Sequence, residues 1–269
     1  MHVLVTAGNT EVPIDRVRCI TSIFSGRTGA SLALQAFQRG HHVTLLTSHP
    51  EVVADLAAAA QLPVPVTEGE VPRWRCLKFR TFDNLEKLME QRIAGTDLDA
   101  IIASAAVSDF RPTGIFAPAA GTRFSNETST WSADAGSPKF EDRAAGKVKS
   151  DEPELWLRLG RAPKIIDRIR TDWGFRGLLV KFKLEVGVSP QQLVETAERS
   201  RQHSAADLMV ANLYDGSLSS FYVGPVTPGC QSTAEPVGRE VVGNYQRIAR
   251  RELPVKLFDV LETAFSQRT

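Results

Sequence analysis

The residues of this chain best suited to chemistry gather near its start. Thr6-Ala7-Gly8-Asn9-Thr10 runs through Pro13-Ile14-Asp15-Arg16-Val17-Arg18 to Ser25-Gly26-Arg27-Thr28-Gly29. The stretch follows a short apolar run, Val3-Leu4-Val5, and opens an apolar-periodic helix. A strand feeding a glycine-rich turn and then a helix builds an anion site. Backbone N–H groups at the helix start point at the ligand, and the helix dipole favours negative charge there. A nucleotide or a phosphorylated metabolite is therefore expected at this place. The common fingerprints are absent. Gly8 stands alone where G-x-G-x-x-G needs three close glycines, and no G-x-x-x-x-G-K-[ST] follows. The long insert before the helix carries Asp15, Arg16 and Arg18 and reads as a structured binding loop.

These residues need a scaffold, and the hydrophobic pattern describes one. His2 to Ala7 reads as a buried parallel strand, Gly26 to Arg39 as a helix ended by Gly40, and Val43 to Thr47 as the next strand, a βαβ unit. Glu51 to Gln61 and Phe82 to Ala94 are expected helices; Cys76 to Phe79 and Leu98 to Ala103 are expected strands. The latter runs into Ser104-Ala105-Ala106-Val107-Ser108-Asp109-Phe110. From Arg111 to Gly146 glycine, proline, serine and threonine are dense and periodicity is lost, the signature of a long lid or binding loop. It delivers Lys147-Val148-Lys149-Ser150.

Beyond it, Leu155 to Leu159 reads as a strand, Pro163 to Arg170 as a helix and Leu178 to Phe182 as a strand. Pro190 to His203 is a helix with proline in its first turn, and Asp207 to Asn212 a strand. Ser219 to Val223 and Glu240 to Val242 look like an antiparallel edge pair, and Pro254 to Phe265 a closing helix. The alternation predicts an α/β class. We expect a Rossmann-like, doubly wound, mostly parallel sheet with a small antiparallel extension and a mobile flap, in a single domain over residues 1–269. Ligands of such sheets bind outside the carboxyl ends of the strands. Ser25, Asp109, the Lys147 loop, Phe182-Lys183-Leu184-Glu185 and Asn212 all fall there.

Composition narrows the classes. The 269 residues hold 32 Lys and Arg against 31 Asp and Glu, so nothing calls for nucleic acid or an anionic membrane as partner. No apolar run is long enough to span a bilayer, and the start lacks the basic region of a signal peptide, so a cytoplasmic protein is expected. Cys19, Cys76 and Cys230 are widely spaced and read as reduced thiols, with no disulfide framework or zinc site.

Taken in order, five segments resemble the phosphopantothenoylcysteine synthetase (phosphopantothenate–cysteine ligase) family of coenzyme A biosynthesis. They are Thr6 to Arg18 with Ile20 to Gly26, Ala105-Ala106-Val107-Ser108-Asp109-Phe110, Lys147-Val148-Lys149-Ser150, Phe182-Lys183-Leu184-Glu185 and Val210-Ala211-Asn212. The resemblance implies a stand-alone synthetase that uses CTP or ATP with Mg2+ and no flavin, since the chain starts at the synthetase strand. It implies ligation of 4′-phosphopantothenate with L-cysteine through an acyl-nucleotide. Gly8, Ser25, Gly26 and Gly29 would receive phosphate. Ala105 and Ala106 would offer backbone groups and a close approach for substrate or base, Asp109 would accept a hydroxyl, and Phe182 would flank the base. Lys147, with Lys149, would close over the triphosphate. Arg18 and Arg27 are further phosphate candidates, and Asn212 a substrate contact.

The family also implies a homodimer, with the 111–146 segment or a Phe221/Val241 hairpin as the arm. Two departures stand out. Ser22 occupies the place of a family asparagine, and Ser200 to Ser204 lacks the lysines that bacterial bifunctional relatives often carry. Two other classes compete. A nicotinamide-dependent reductase would need the missing fingerprint and an acidic residue where Ser48-His49-Pro50 stands. A catalytically attenuated binding homologue is motivated by Ser22.

Overall fold

The strand His2–Ala7 is buried along almost its whole length, which only an interior strand covered on both faces allows. The computed structural model, which describes residues 1–62, 69–214, 220–226 and 241–268, places it inside a ten-stranded sheet. In spatial order the strands are Val241–Val242, Tyr245–Ala249, Ser220–Gly224, Leu208–Leu213, Leu178–Glu185, Ala100–Ala103, His2–Ala7, His42–Thr47, Trp74–Lys78 and Gly69–Val71. The run from Leu208–Leu213 to Trp74–Lys78 is parallel throughout, and the strands added at either end are antiparallel.

Alternation along His2–Ala7 sends its side chains to two cores. Val3, Val5 and Ala7 pack with the helices Arg27–Gln38, Pro50–Ala59 and Leu253–Ser266. Leu4 packs on the other face with Phe82–Ala94 and Ile165–Thr171. Pro190–His203 covers a third cluster on Met209, Ala211 and Tyr222. The sheet is thus doubly wound. From His2–Ala7 the chain builds outward through His42–Thr47 and Trp74–Lys78, then returns to Ala100–Ala103 on the other side of the first strand. The crevice between His2–Ala7 and Ala100–Ala103 is therefore the topological switch point.

The 111–146 stretch departs from expectation. It is not a loop: Phe110–Pro118, Thr122–Ser125, Thr130–Ala133 and Phe140–Asp142 are strands. The strand Trp156–Arg161 leaves the main sheet to pair antiparallel with Phe110–Pro118. An aromatic cluster explains the order in a segment poor in apolar residues. Trp131 lies 4.6 Å from Trp156 and 4.7 Å from Phe140 between ring centres, and Phe124 lies 4.9 Å from Trp156.

The antiparallel edge is also rearranged. Ser220–Gly224 pairs with Tyr245–Ala249, an unforeseen strand, and among the described residues Val241–Val242 pairs with that strand's far side alone. Phe221 is buried in the first core, so it is unsuited to an exchanged arm. Ser219, Cys230 and Glu240 lie outside the described residues; Cys19 and Cys76 are free.

Candidate functional site

A cavity of about 530 Å³ opens at the switch point, over the carboxyl ends of His2–Ala7, Ala100–Ala103, Leu178–Glu185 and Leu208–Leu213. Nine of the residues singled out in the sequence line it: Gly8, Ser25, Gly26, Gly29, Ala105, Ala106, Asp109, Phe182 and Asn212. Arg27 lines it too. Its floor is apolar, with Leu85, Met89, Ile165 and Ile169.

The helix start at its mouth is built by close backbone contact. Gly26 caps Arg27–Gln38 in the left-handed region (φ 80°) and offers no side-chain cap to the first turn. A Cβ there would run into the Gly8 backbone, and one on Gly29 would meet Ser104 Oγ and Thr6 O. The first-turn N–H groups are thus without a side-chain acceptor of their own, the arrangement an anion completes.

Facing this turn, Ser104 Oγ donates to Thr6 O (2.6 Å), and Ala105 N donates to Thr6 Oγ1 (3.1 Å). Ala106 N donates to Gly8 O (2.8 Å), and Thr10 N to Ala106 O (3.2 Å). Both alanine N–H groups are therefore spent inside the protein. What Ala105 and Ala106 leave for a ligand is close approach to small side chains, not free donors. Asn9, not foreseen as functional, knots the turn: its Nδ2 donates to Ser22 O (2.6 Å), and its Oδ1 accepts from Ser48 Oγ (3.1 Å).

Charge in the cavity is one-sided. Arg27, Lys164, Lys181, Lys183 and Arg250 line it, against Asp109 alone among carboxylates of the described residues. Lys183 forms an ion pair with Glu185 at 3.1 Å. Such a field draws in and holds polyanions. Lys181 is buried, and desolvation pulls its ammonium below the usual lysine range. The second departure resolves onto it: the carbonyl of Ser200 and the hydroxyl of Ser204 both accept from Lys181 Nζ. A lysine inside the apolar run Leu178-Leu179-Val180 was the available signal. Asn212 is 5% exposed and lines the cavity. Arg250 follows the strand that the pattern did not show.

Four candidates are not brought to the cavity lining. The Ser22 hydroxyl is buried without a partner. Lys147 and Lys149 are exposed, on either side of buried Val148. Arg18 is engaged elsewhere, its Nη2 donating to Val148 O (2.8 Å). Asp15 completes this latch: it accepts from Val17 N and Arg18 N (2.8 Å each) and from Val148 N (3.1 Å), while Arg16 N donates to Gly146 O (3.0 Å). These hydrogen bonds, the one from Val17 foremost, hold the Asp15 carboxyl below its ordinary pKa. Among the described residues no cluster of three or more His, Cys, Asp or Glu could hold a metal ion, and no helix is long and apolar enough to cross a membrane.

Fold and site together define a doubly wound α/β protein with a cationic, anion-receiving cavity at its switch point. Comparison with known proteins narrows this class. Residues 1–118 match the DFP family, the DNA/pantothenate metabolism flavoprotein C-terminal domain. Over 263 residues the chain is 29% identical to the coenzyme A biosynthesis bifunctional protein CoaBC of Thermococcus kodakarensis, covering 97% of this chain and 51% of that protein. The Methanocaldococcus jannaschii protein of the same name is 25% identical over 83% of this chain and 42% of its own length. The chain thus spans about half the length, or less, of these relatives.

Among solved structures, the DNA/pantothenate metabolism flavoprotein from Streptococcus pneumoniae superposes with a TM-score of 0.67 at 22% identity, over 98% of this chain and 99% of that one. A Cab2 mutant in complex with phosphopantothenate-cysteine gives 0.63 at 16% identity, over 99% and 88%. The DFP match thus covers the first 118 residues, and the fold of the whole chain is that of these solved structures.

Proposed function

We propose that this protein joins 4′-phosphopantothenate to L-cysteine using a nucleoside triphosphate, CTP or ATP, with Mg2+ carried on the triphosphate. The observation that carries the reading is convergence. Residues from four separate segments that resemble the synthetase family line one cationic cavity. The names of the relatives support it, since they belong to coenzyme A biosynthesis and to a phosphopantothenate-cysteine complex.

The chemistry has two steps. The phosphopantothenate carboxylate attacks the α-phosphorus and pyrophosphate leaves. The cysteine amine then attacks the acyl carbon and loses a proton, and the nucleoside monophosphate departs with the acyl C–O electron pair. Two anions must be held together in the first step, which fixed cations and helix-start N–H groups permit. The helix start at Ser25, Gly26 and Gly29, with Arg27, receives phosphate. Asp109 accepts a sugar or pantothenate hydroxyl, Phe182 flanks the base, and the Asn212 amide meets the acyl substrate. Lys147 and Lys149 enter when the segment tied to Asp15 and Arg18 folds over the bound triphosphate, excluding water.

The chain acts as one domain over residues 1–269, without flavin. It works as a homodimer whose arm is the β-rich 110–161 region. Mass spectrometry of an incubation with both substrates, each nucleotide in turn and Mg2+ tests the reading. Equimolar phosphopantothenoylcysteine and nucleoside monophosphate are expected; monophosphate without amide product contradicts it.

A second reading has one observation in its favour. The buried, partnerless Ser22 hydroxyl stands where the family resemblance places an asparagine. A homologue that binds both ligands and turns over slowly would give tight binding with little product in the same incubation.

A further inference from the structure

Lys181 is 9% exposed, and among the described residues no other lysine or arginine is so buried. A charge this deep in a strand is costly unless it is matched. The match inside the protein is incomplete. Its ammonium donates to two neutral acceptors, Ser200 O at 2.9 Å and Ser204 Oγ at 3.1 Å; Asp167 acts on it from a distance, and no carboxylate of the described residues forms a direct ion pair with it. An ammonium has three N–H groups. Holding the last turn of Pro190–His203 accounts for two of them and leaves the third, with the net charge, at the wall of the cavity. Register places Lys181 beside Ala103, one strand from His2–Ala7, whose end leads into the glycine-rich turn. The two acceptors fix the head group, so little side-chain freedom is lost on meeting a ligand.

We propose that Lys181 is a pre-positioned cation for a substrate phosphoryl group, reaching the cavity from the sheet while the Gly26 helix start reaches it from the first turn. This rests on the ligase reading, in which both the nucleoside triphosphate and 4′-phosphopantothenate carry phosphate. The contact is to one of them, and the experiment separates the two.

Calorimetric titration of the wild-type protein and of Lys181→Met with CTP, ATP and 4′-phosphopantothenate separately, alongside thermal melts without ligand, is the test. We expect one phosphate ligand to bind Lys181→Met about 10- to 100-fold more weakly, the loss of one charged hydrogen bond, with the other within twofold. Lys181→Arg should recover part of the loss. Should Lys181→Met melt early, Ser204→Ala keeps the charge and removes one acceptor, and should weaken the same ligand about threefold. Unchanged affinity of every ligand for folded Lys181→Met or, should it not fold, for Ser204→Ala would overturn the proposal. A wild-type protein that binds none of the ligands would overturn the ligase reading itself, and this contact with it.

Discussion

The helix start at Gly26 and the segment Gly146 to Ser150 were both marked by motif, yet they are built in opposite ways. Around Gly26 the backbone is packed so closely that a single Cβ would displace the Gly8 backbone, and every flanking residue lines the cavity. Around Lys147 the side chains stand exposed outside it, and the anchors are at Gly146, through Arg16, and at Val148, through Asp15 and Arg18. The first region is complete before a ligand arrives. The second carries charge on a tether. Groups already engaged in the resting complex set affinity, whereas groups that engage only on closure act on turnover. Binding should therefore fail in one region and turnover in the other.

The largest effect is expected at the rigid region. Gly26→Ala should abolish measurable triphosphate binding and cost about 1–2 kcal/mol of stability from the left-handed backbone alone. Titration and thermal unfolding check both, and retained binding would break the contrast. Lys147→Ala should lower kcat about 100-fold, the scale of a lost transition-state contact, with stability unchanged within about 0.5 kcal/mol and triphosphate affinity nearly intact. A fall in affinity matching the fall in kcat would place Lys147 in the ground-state site instead.

The tether comes next. Asp15→Asn should lower kcat about tenfold by loosening Val148. Its folded-state pKa is lowered, so the stability Asp15 contributes is present above the unfolded value of about 3.9 and is lost as pH falls through the folded one. Urea melts of wild type and Asp15→Asn should therefore differ at pH 7 and draw together only as pH falls below the unfolded carboxylate value and through the lower folded one. The smallest change is expected at Ser22→Asn. Amide formation should rise about threefold with nucleotide affinity unaltered, because the hydroxyl it replaces makes no bond.

The same contrast marks what could be read from residues alone. The parallel core and its helices were legible because Val3, Leu45, Ile101, Val180 and Val210 lie in short apolar runs between periodic helices. The glycines of the turn were legible because only a close approach explains them. The strands of the 110–161 region were not, because their order comes from four aromatic rings far apart in sequence that meet only after folding. Nor was the use of Ala105 and Ala106 N–H by Thr6 and Gly8, which depends on how two strand ends align beyond the sheet. Lys181 was visible as a charge in a buried strand, but its place at the cavity depends on Ser200 and Ser204 across the helix.

In the proposed reaction this cavity activates a carboxylate as an acyl-nucleotide. Pyrophosphate release with 4′-phosphopantothenate, Mg2+ and either CTP or ATP, measured without and then with cysteine, tests it most directly. Release with one nucleotide is expected before cysteine is added, and continuous turnover afterwards. No pyrophosphate with either nucleotide, in the presence or absence of cysteine, would contradict it.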